Sequence, residues 1–317
     1  MKVLVTGGAG FVGSHVCDRL ARDDHELVIL DDLSTGHVAQ VHPAARFYQM
    51  ELDSPWLDEL FAIERPDAVV HLAAQASVRR SVTDPVFDAR VNVLGTVALL
   101  QTAVRHEARR FLFSSTGGAI YGEATAVPTP EDYPPSPVSP YGTSKLAAEL
   151  MVTTFHTMSG LSYAALRYAN VYGPRQDPHG EAGVVAIFTR QLLAGNEAIV
   201  NGDGQQTRDF VYVADVADAN ALALTSQAVG AFNVGTGKET SINEIFRLLQ
   251  DLTGSRQVER HGPPQAGEQR RSAVDATRIG RELGWRPTTA LRDGLAETVA
   301  YFRAELTATR PGSAAPR

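Results

Sequence analysis

The first thirteen residues leave this chain few folds to choose from. Lys2-Val3-Leu4-Val5-Thr6 is a short apolar run of strand character, and Gly7-Gly8-Ala9-Gly10-Phe11-Val12-Gly13 follows with glycines at the G-x-x-G-x-x-G spacing where a helical stretch opens. Glycine at such a junction permits a tight turn and lets backbone N–H groups approach a pyrophosphate, while the helix N-terminus favours an anion. A glycine triplet alone serves a flexible loop equally well; between a strand and a helix it reads as the first turn of a βαβ unit. The next apolar run, Leu27-Val28-Ile29-Leu30, ends in Asp31-Asp32, eighteen residues beyond Gly13. A carboxylate at that separation suits an adenosine ribose and repels a 2′-phosphate, so the expected dinucleotide is NAD and not NADP.

Further strand-like runs at Phe47-Tyr48, Ala68 to Leu72, Phe111 to Ser114 and Tyr163 to Leu166 alternate with helix-length segments. Alternation of this kind predicts a parallel sheet with helices on both faces. At 317 residues and 44% hydrophobic content the chain can fill more than one core. The expected class is α/β: a Rossmann-type doubly wound parallel sheet with a smaller C-terminal α/β substrate domain. Residues 1–169, with a returning segment at about 209–236, are expected to bind the dinucleotide. Residues 170–208 and 237–309 are expected to form the second domain, and 310–317 a disordered tail. Ligands of such sheets gather at the carboxyl ends of the strands, where His71-Leu72-Ala73-Ala74, Ser114-Ser115-Thr116 and Asn170 fall. Pro128 to Pro140, with six prolines, reads as a stiff surface excursion.

Several classes are disfavoured by composition. The single cysteine, Cys17, excludes an internal disulfide and reads as a buried apolar residue of the first helix. No segment approaches the ~20 apolar residues of a membrane span, and a cytosolic location is expected. A net charge of −7 argues against nucleic-acid affinity. Arg79-Arg80 and Arg109-Arg110 read as ordinary solvated element ends. No metal site is expected.

Among 29 basic residues only Lys2, Lys145 and Lys238 are lysine. A lysine retained against that background points to a position needing a compact, titratable charge. Ser139-Pro140 has the form of an N-cap followed by proline at the first helical position, so Tyr141 and Lys145 are neighbours on one helix face. Such a pair reads as an acid/base unit, in which the ammonium brings the phenol toward the working range of a general base.

Taken together, Thr6-Gly7-Gly8-Ala9-Gly10-Phe11-Val12-Gly13-Ser14-His15, Asp31-Asp32-Leu33-Ser34-Thr35-Gly36, His71-Leu72-Ala73-Ala74-Gln75, Asn92-Val93-Leu94-Gly95-Thr96, Ser114-Ser115-Thr116, Tyr141 with Lys145, and Arg167-Tyr168-Ala169-Asn170-Val171-Tyr172-Gly173-Pro174 resemble the extended short-chain dehydrogenase/reductases that act on nucleotide sugars, most of all the UDP-glucose 4-epimerases. The likeness runs from Lys2 to about Arg303. It implies an NAD-dependent C4 epimerase of UDP-hexoses, with UDP-glucuronate epimerisation and net oxidation as alternatives, a homodimer built on helices near Pro85 to His106 and Tyr141 to His156, and no nucleic-acid or membrane partner.

The residue roles follow from the same likeness. Tyr141 is the implied base, supported by Lys145 and by a hydroxyl from Thr116 or Ser115. NAD is expected to meet Gly7, Gly10, Phe11 and Val12 at its pyrophosphate, and Asp31, Asp32, Ser34, Thr35 and Gly36 at its ribose. Glu51 and Leu52 fall at the adenine, while Leu72, Ala73, Ala74, Gln75, Asn92, Ser114, Tyr141, Lys145 and Tyr168 fall toward the nicotinamide. The nucleotide sugar is expected to touch Gln75, Thr116, Gly117, Tyr141, Asn170, Arg208, Glu268, Arg271 and Ser272, whereas Asn233 reads as structural.

Differences narrow the chemistry. Dehydratases of the group place an Asp-Glu pair after the Ser/Thr; here Thr116 is followed by Gly117-Gly118. The 3,5-epimerase/reductases need a cysteine in this region, and none is present. Gln265 stands where the family carries a diphosphate-binding arginine, with Arg270 and Arg271 as candidate replacements. Ser272 aligns with a bulky gatekeeper of strict glucose/galactose enzymes, and its small side chain leaves room for an N-acetyl group.

Overall fold

The structure, a computed structural model, describes residues 1–179, 183–264 and 269–308. Gln265, Glu268 and the tail 310–317 lie outside the described residues. Among these, seven strands form one parallel sheet in the spatial order Gly230–Val234, Ser162–Tyr168, Arg110–Thr116, Ala68–His71, Lys2–Thr6, Glu26–Asp31, Arg46–Gln49. The order reverses between Lys2–Thr6 and Ala68–His71, which pair in register from Val3↔Ala68 to Thr6↔His71. A switch of this kind opens a crevice at the carboxyl ends of the two strands.

The sheet is buried on both faces because strand alternation feeds two cores. Val3 and Val5 pack with Val16, Cys17 and Leu20 on one face. Leu4 packs with Phe61, Leu99 and Phe111 on the other. Burying each such side chain stabilises the fold by about 1.5–3 kcal/mol, so Leu4→Ala is costly on either measure of transfer or cavity. Cys17 is fully buried here, as expected of a small apolar residue.

A third core lies beyond the sheet, around Tyr172, Phe188, Phe246 and Leu295. The short strand Phe210–Tyr212, paired in parallel with Asn170–Tyr172, joins the cores. Phe210 and Tyr212 belong to the third core, while Val211 between them belongs to the first.

Two sequence expectations are corrected here. Arg110 is not a solvated end: it is 5% exposed and donates to the carbonyls of Ala223, Tyr163 and Ala228 and to Ser162 Oγ. Ala223 lies in the last turn of the Val213–Thr225 helix, whose carbonyl end attracts a cation; burial holds the guanidinium down at about 10. The proline-rich excursion is not wholly on the surface either. Thr129 is 3% exposed, donates its N–H to Ala273 and accepts from Asp275 N and Asn233 Nδ2. Its backbone serves as a seam between the sheet and the segment around Val274.

Candidate active site

The glycine turn has the form an anion needs. Gly7 sits at φ +71°, and a Cβ there would come 2.7 Å from Ala73 N, so the loops after the two central strands touch at the switch point. A Cβ on Gly13 would lie 2.0 Å from Gly7 O, which is why helix and turn can close only with glycine. The Phe11–Arg22 helix begins at Gly10 with no side-chain cap and no acid in its first turn. Its exposed N–H groups and positive end therefore suit a pyrophosphate. Phe11 and Val12, at the first two helical positions, are partly buried against the third and first cores respectively.

Asp31 braces this turn. Its carboxylate accepts from Ala9 N and Leu33 N, both at 2.9 Å, and Gly36 is packed so closely that a Cβ would meet Asp31 Oδ1 at 2.8 Å. Burial pushes the Asp31 carboxyl up. Asp32 is exposed and accepts from both N and Oγ of Ser34, an Asx turn next to Thr35. At the far end of the crevice Glu51 is exposed, whereas the Leu52 side chain is core, packed against Gly95.

Ser139 caps the Pro140–Ser159 helix by accepting from Gly142 N, with Pro140 at its first position. Tyr141 and Lys145 thus share one face. Lys145 is 3% exposed, its Nζ 4.5 Å from the centre of the Phe113 ring, and burial pulls the ammonium down to about 8. The phenol of Tyr141 goes the other way: burial pushes it up to about 12, with Thr116 opposing the rise and Asp88 adding to it. The expected pull toward neutrality is thus not supplied by the protein alone.

The two hydroxyls have different surroundings. Thr116 Oγ1 lies near Gly118 and Asn170 at the end of its strand. Ser115 shares the strand face of Phe113, against the Pro140–Ser159 helix, is 2% exposed and donates to Glu149 Oε2 at 2.6 Å. Glu149 is held in turn by Arg167, 2.5 Å away at Nη2. Ser115 therefore belongs to a buried ion-pair network. Ser114, two residues from Thr116, shares its strand face.

Behind the pair lies a polar wall. Thr96 Oγ1 donates to Asn92 O at 2.6 Å, so His71 must donate to Thr96 through Nε2–H and accept at Nδ1 from Thr6 Oγ1. Burial, then Lys145, lowers His71 to about 3 and keeps it neutral. Asn92 lies in a π-helical turn, Arg90–Leu94, and ties Gln75 O, Asp88 Oδ1 and Ser144 Oγ together. Insertions of this type recur at functional sites. The Gln75 amide is spent on Asp88, Ser77 O and Ser77 N, so its side chain braces the wall and does not reach for a ligand. The Tyr168 phenol is likewise spent, on Asn220.

On the opposite side of the crevice, Cβ positions at Gly118 would lie 3.6 Å from Asn170 Oδ1 and 3.9 Å from Thr116 Oγ1, which places these two groups around one glycine. Gly117 is buried, and a Cβ would strike Val274 Cγ1 at 2.6 Å, so no acidic side chain fits there. Arg208 and Ser272 are register partners on adjacent parallel strands and share a face. Arg271 belongs to the other face: with Thr207 it holds Glu239, 2.5 Å from Arg271 Nη2. Arg270 pairs with Asp203 at 2.8 Å. Asp209 is fully buried and clamps Thr236, Gly237 and Val274, and Asp215 caps Thr288 and Thr289. Asn233 is structural, as expected, bonded to Tyr121, Thr129 and Asp275.

Residues 3–235 match the NAD dependent epimerase/dehydratase family. The chain belongs to that family. Its sequence is 46% identical over 309 residues to the UDP-glucose 4-epimerase of Mycolicibacterium smegmatis, covering 96% of this chain and 99% of that protein. The structure superposes on the Thermotoga maritima UDP-glucose 4-epimerase solved with UDP-glucose at a TM-score of 0.95 and 47% identity, covering 96% of this chain and all of the other. The Thermus thermophilus UDP-glucose 4-epimerase complex with NAD gives 0.92 and 42%, over 96% and 99%. As a member of the NAD dependent epimerase/dehydratase family, the enzyme takes NAD as its cofactor, and the uncapped helix end, the glycine-lined turn and the braced Asp31 fit that molecule.

Proposed function

We propose that the protein is a UDP-hexose 4-epimerase that inverts C4 through a 4-keto sugar. What carries this reading is Tyr141 one helical turn from the buried Lys145 on the capped Pro140–Ser159 helix, with glycines at 117 and 118 where a dehydratase needs an acid and a base. Bound NAD supplies a hydride acceptor that later returns the hydride, together with a positive ring. Tyr141 Oη takes the proton from the sugar hydroxyl and gives it back. Since burial holds the phenol at about 12, its ionisation relies on positive charge brought close, which is the role of Lys145 and the bound ring. Thr116 Oγ1 holds the same oxygen in line.

Asn170 and Arg208 are proposed to orient the diphosphate, and Ser272, beside Arg208, to face the hexose; its small side chain favours acceptance of N-acetylated sugars as well. Gly7, Gly10 and Asp31 are proposed to hold the dinucleotide. We assign residues 1–169 and 209–236 to the cofactor, and 170–208 and 237–309 to the nucleotide sugar. Exposed Val86, Leu94 and Leu150, 78%, 62% and 60% accessible, support a homodimer formed by the two helical regions that carry them. A cytosolic setting is proposed with it.

The test is incubation of the purified chain with UDP-glucose, UDP-galactose, their N-acetyl forms and UDP-glucuronate, without added cofactor. C4 epimers of the neutral sugars, with no net NADH, are expected. Turnover that requires added NAD(H), or inversion of the glucuronate alone, would overturn the reading.

A further inference from the structure

Asp88 is a buried carboxylate that no step above uses. It is 1% exposed, on the Pro85–Ala89 helix that packs against the Pro140–Ser159 helix. Oδ1 accepts from Gln75 Nε2 at 2.7 Å and Asn92 Nδ2 at 3.2 Å, while Oδ2 has no hydrogen-bond partner among the described residues. An unpartnered buried oxygen is costly and calls for a compensating charge. We propose that Asp88 is a positioning residue of the reaction, whose charge keeps the Lys145 ammonium protonated inside the wall formed by Gln75 and Asn92.

The surroundings of Lys145 single out this residue. His71, from the Ala68–His71 strand, is neutral, and the Phe113 ring beside Nζ carries no charge. Tyr141 shares the Lys145 helix. So does Glu149, which favours the ammonium more than Asp88 does but is itself paired with Arg167 from the Ser162–Tyr168 strand. The helices Val78–Thr83 and Gly95–Arg105 bring only Arg79, Arg80 and Arg105, all exposed. Asp88 is left as the acid that favours the ammonium without a cation of its own; by the same charge it makes the Tyr141 phenol harder to ionise. Asp88→Asn should therefore move both groups to lower pH together.

This inference deepens the proposed function, and its test separates the two. With three lysines in the chain, isotope labelling at lysine Cε gives three resonances, and loss of one in Lys145→Met identifies its source. Asp88→Asn keeps an acceptor for Gln75 and Asn92 and replaces the unpartnered oxygen. The Lys145 midpoint is expected to fall by about one pH unit, with Lys2 and Lys238 unmoved, and the kcat/KM profile to slide acid-ward as a whole. An unmoved midpoint, or a profile lowered in place, would overturn the inference. Should Asp88→Asn fail to fold, Asp88→Ser is titrated in its stead, and a wild-type Lys145 midpoint below pH 7 overturns the idea without any variant. A shifted midpoint in a protein that epimerises nothing would sink the proposed activity and leave the role of Asp88 standing.

Discussion

Ser115 and Thr116 are adjacent hydroxyls that should fail in opposite ways. The Ser115 hydroxyl is buried and bonded at 2.6 Å to the Glu149 carboxylate. A hydrogen bond to a charged group contributes about 1.5–3 kcal/mol, and Ser115→Ala leaves Glu149 only its Arg167 contacts. Each 1 kcal/mol moves Tm by about 2–4 °C in a chain of 150–250 residues, so a drop of at most about 3–12 °C is expected with kcat near wild type. Thr116→Ala removes the hydroxyl proposed to hold the sugar oxygen, and Thr116 is in none of the hydrophobic cores. Its Tm should hold, and kcat should fall about a hundredfold, the scale of an acid/base contribution. Differential scanning fluorimetry and initial rates of UDP-galactose conversion decide the matter. A Ser115→Ala enzyme that keeps its Tm but loses its rate would show that Ser115, and not Thr116, serves the chemistry.

Three other outcomes are expected. Tyr141→Phe should purify with its NAD yet lose at least a thousandfold in kcat, read by epimer formation; near-normal turnover would remove the phenol from the chemistry. Lys145 is held at about 8 against 10.5 when unfolded, so below pH 8 it is charged in both states and its burial costs stability in full, a cost relieved as pH rises from 8 to 10.5. Lys145→Met should accordingly melt a few degrees higher at pH 7 while losing activity, and its Tm gain should shrink toward pH 10. Ser272→Tyr should depress conversion of UDP-N-acetylglucosamine by tenfold or more and spare UDP-glucose; parallel changes in both sugars would remove Ser272 from the specificity pocket.

Local signals carried much of the architecture. The strand, glycine turn and helix at residues 2–22, the Ser139-Pro140 start and the Tyr141–Lys145 pair all depend on neighbours a few positions apart, and all are visible as spacing. The groups that surround the pair are not local. Glu149 meets Ser115 across 34 positions, and His71 meets Thr6 across 65, so no periodicity marks either. Arg110 looked like a surface cation because its carbonyl partners are backbone atoms near residues 163, 223 and 228, which leave no trace in residue type. Ser115 and Thr116 are alike as residue types, and what separates them is Glu149, 34 positions away from Ser115.

The strand Phe210–Tyr212 has a consequence for anyone who would take the molecule apart. Three consecutive residues stitch two interiors, so neither can be excised without tearing a hole in the other. Heat should therefore find no intermediate to populate: calorimetry should record one endotherm, and fragments cut on either side of residue 211 should refuse to fold alone.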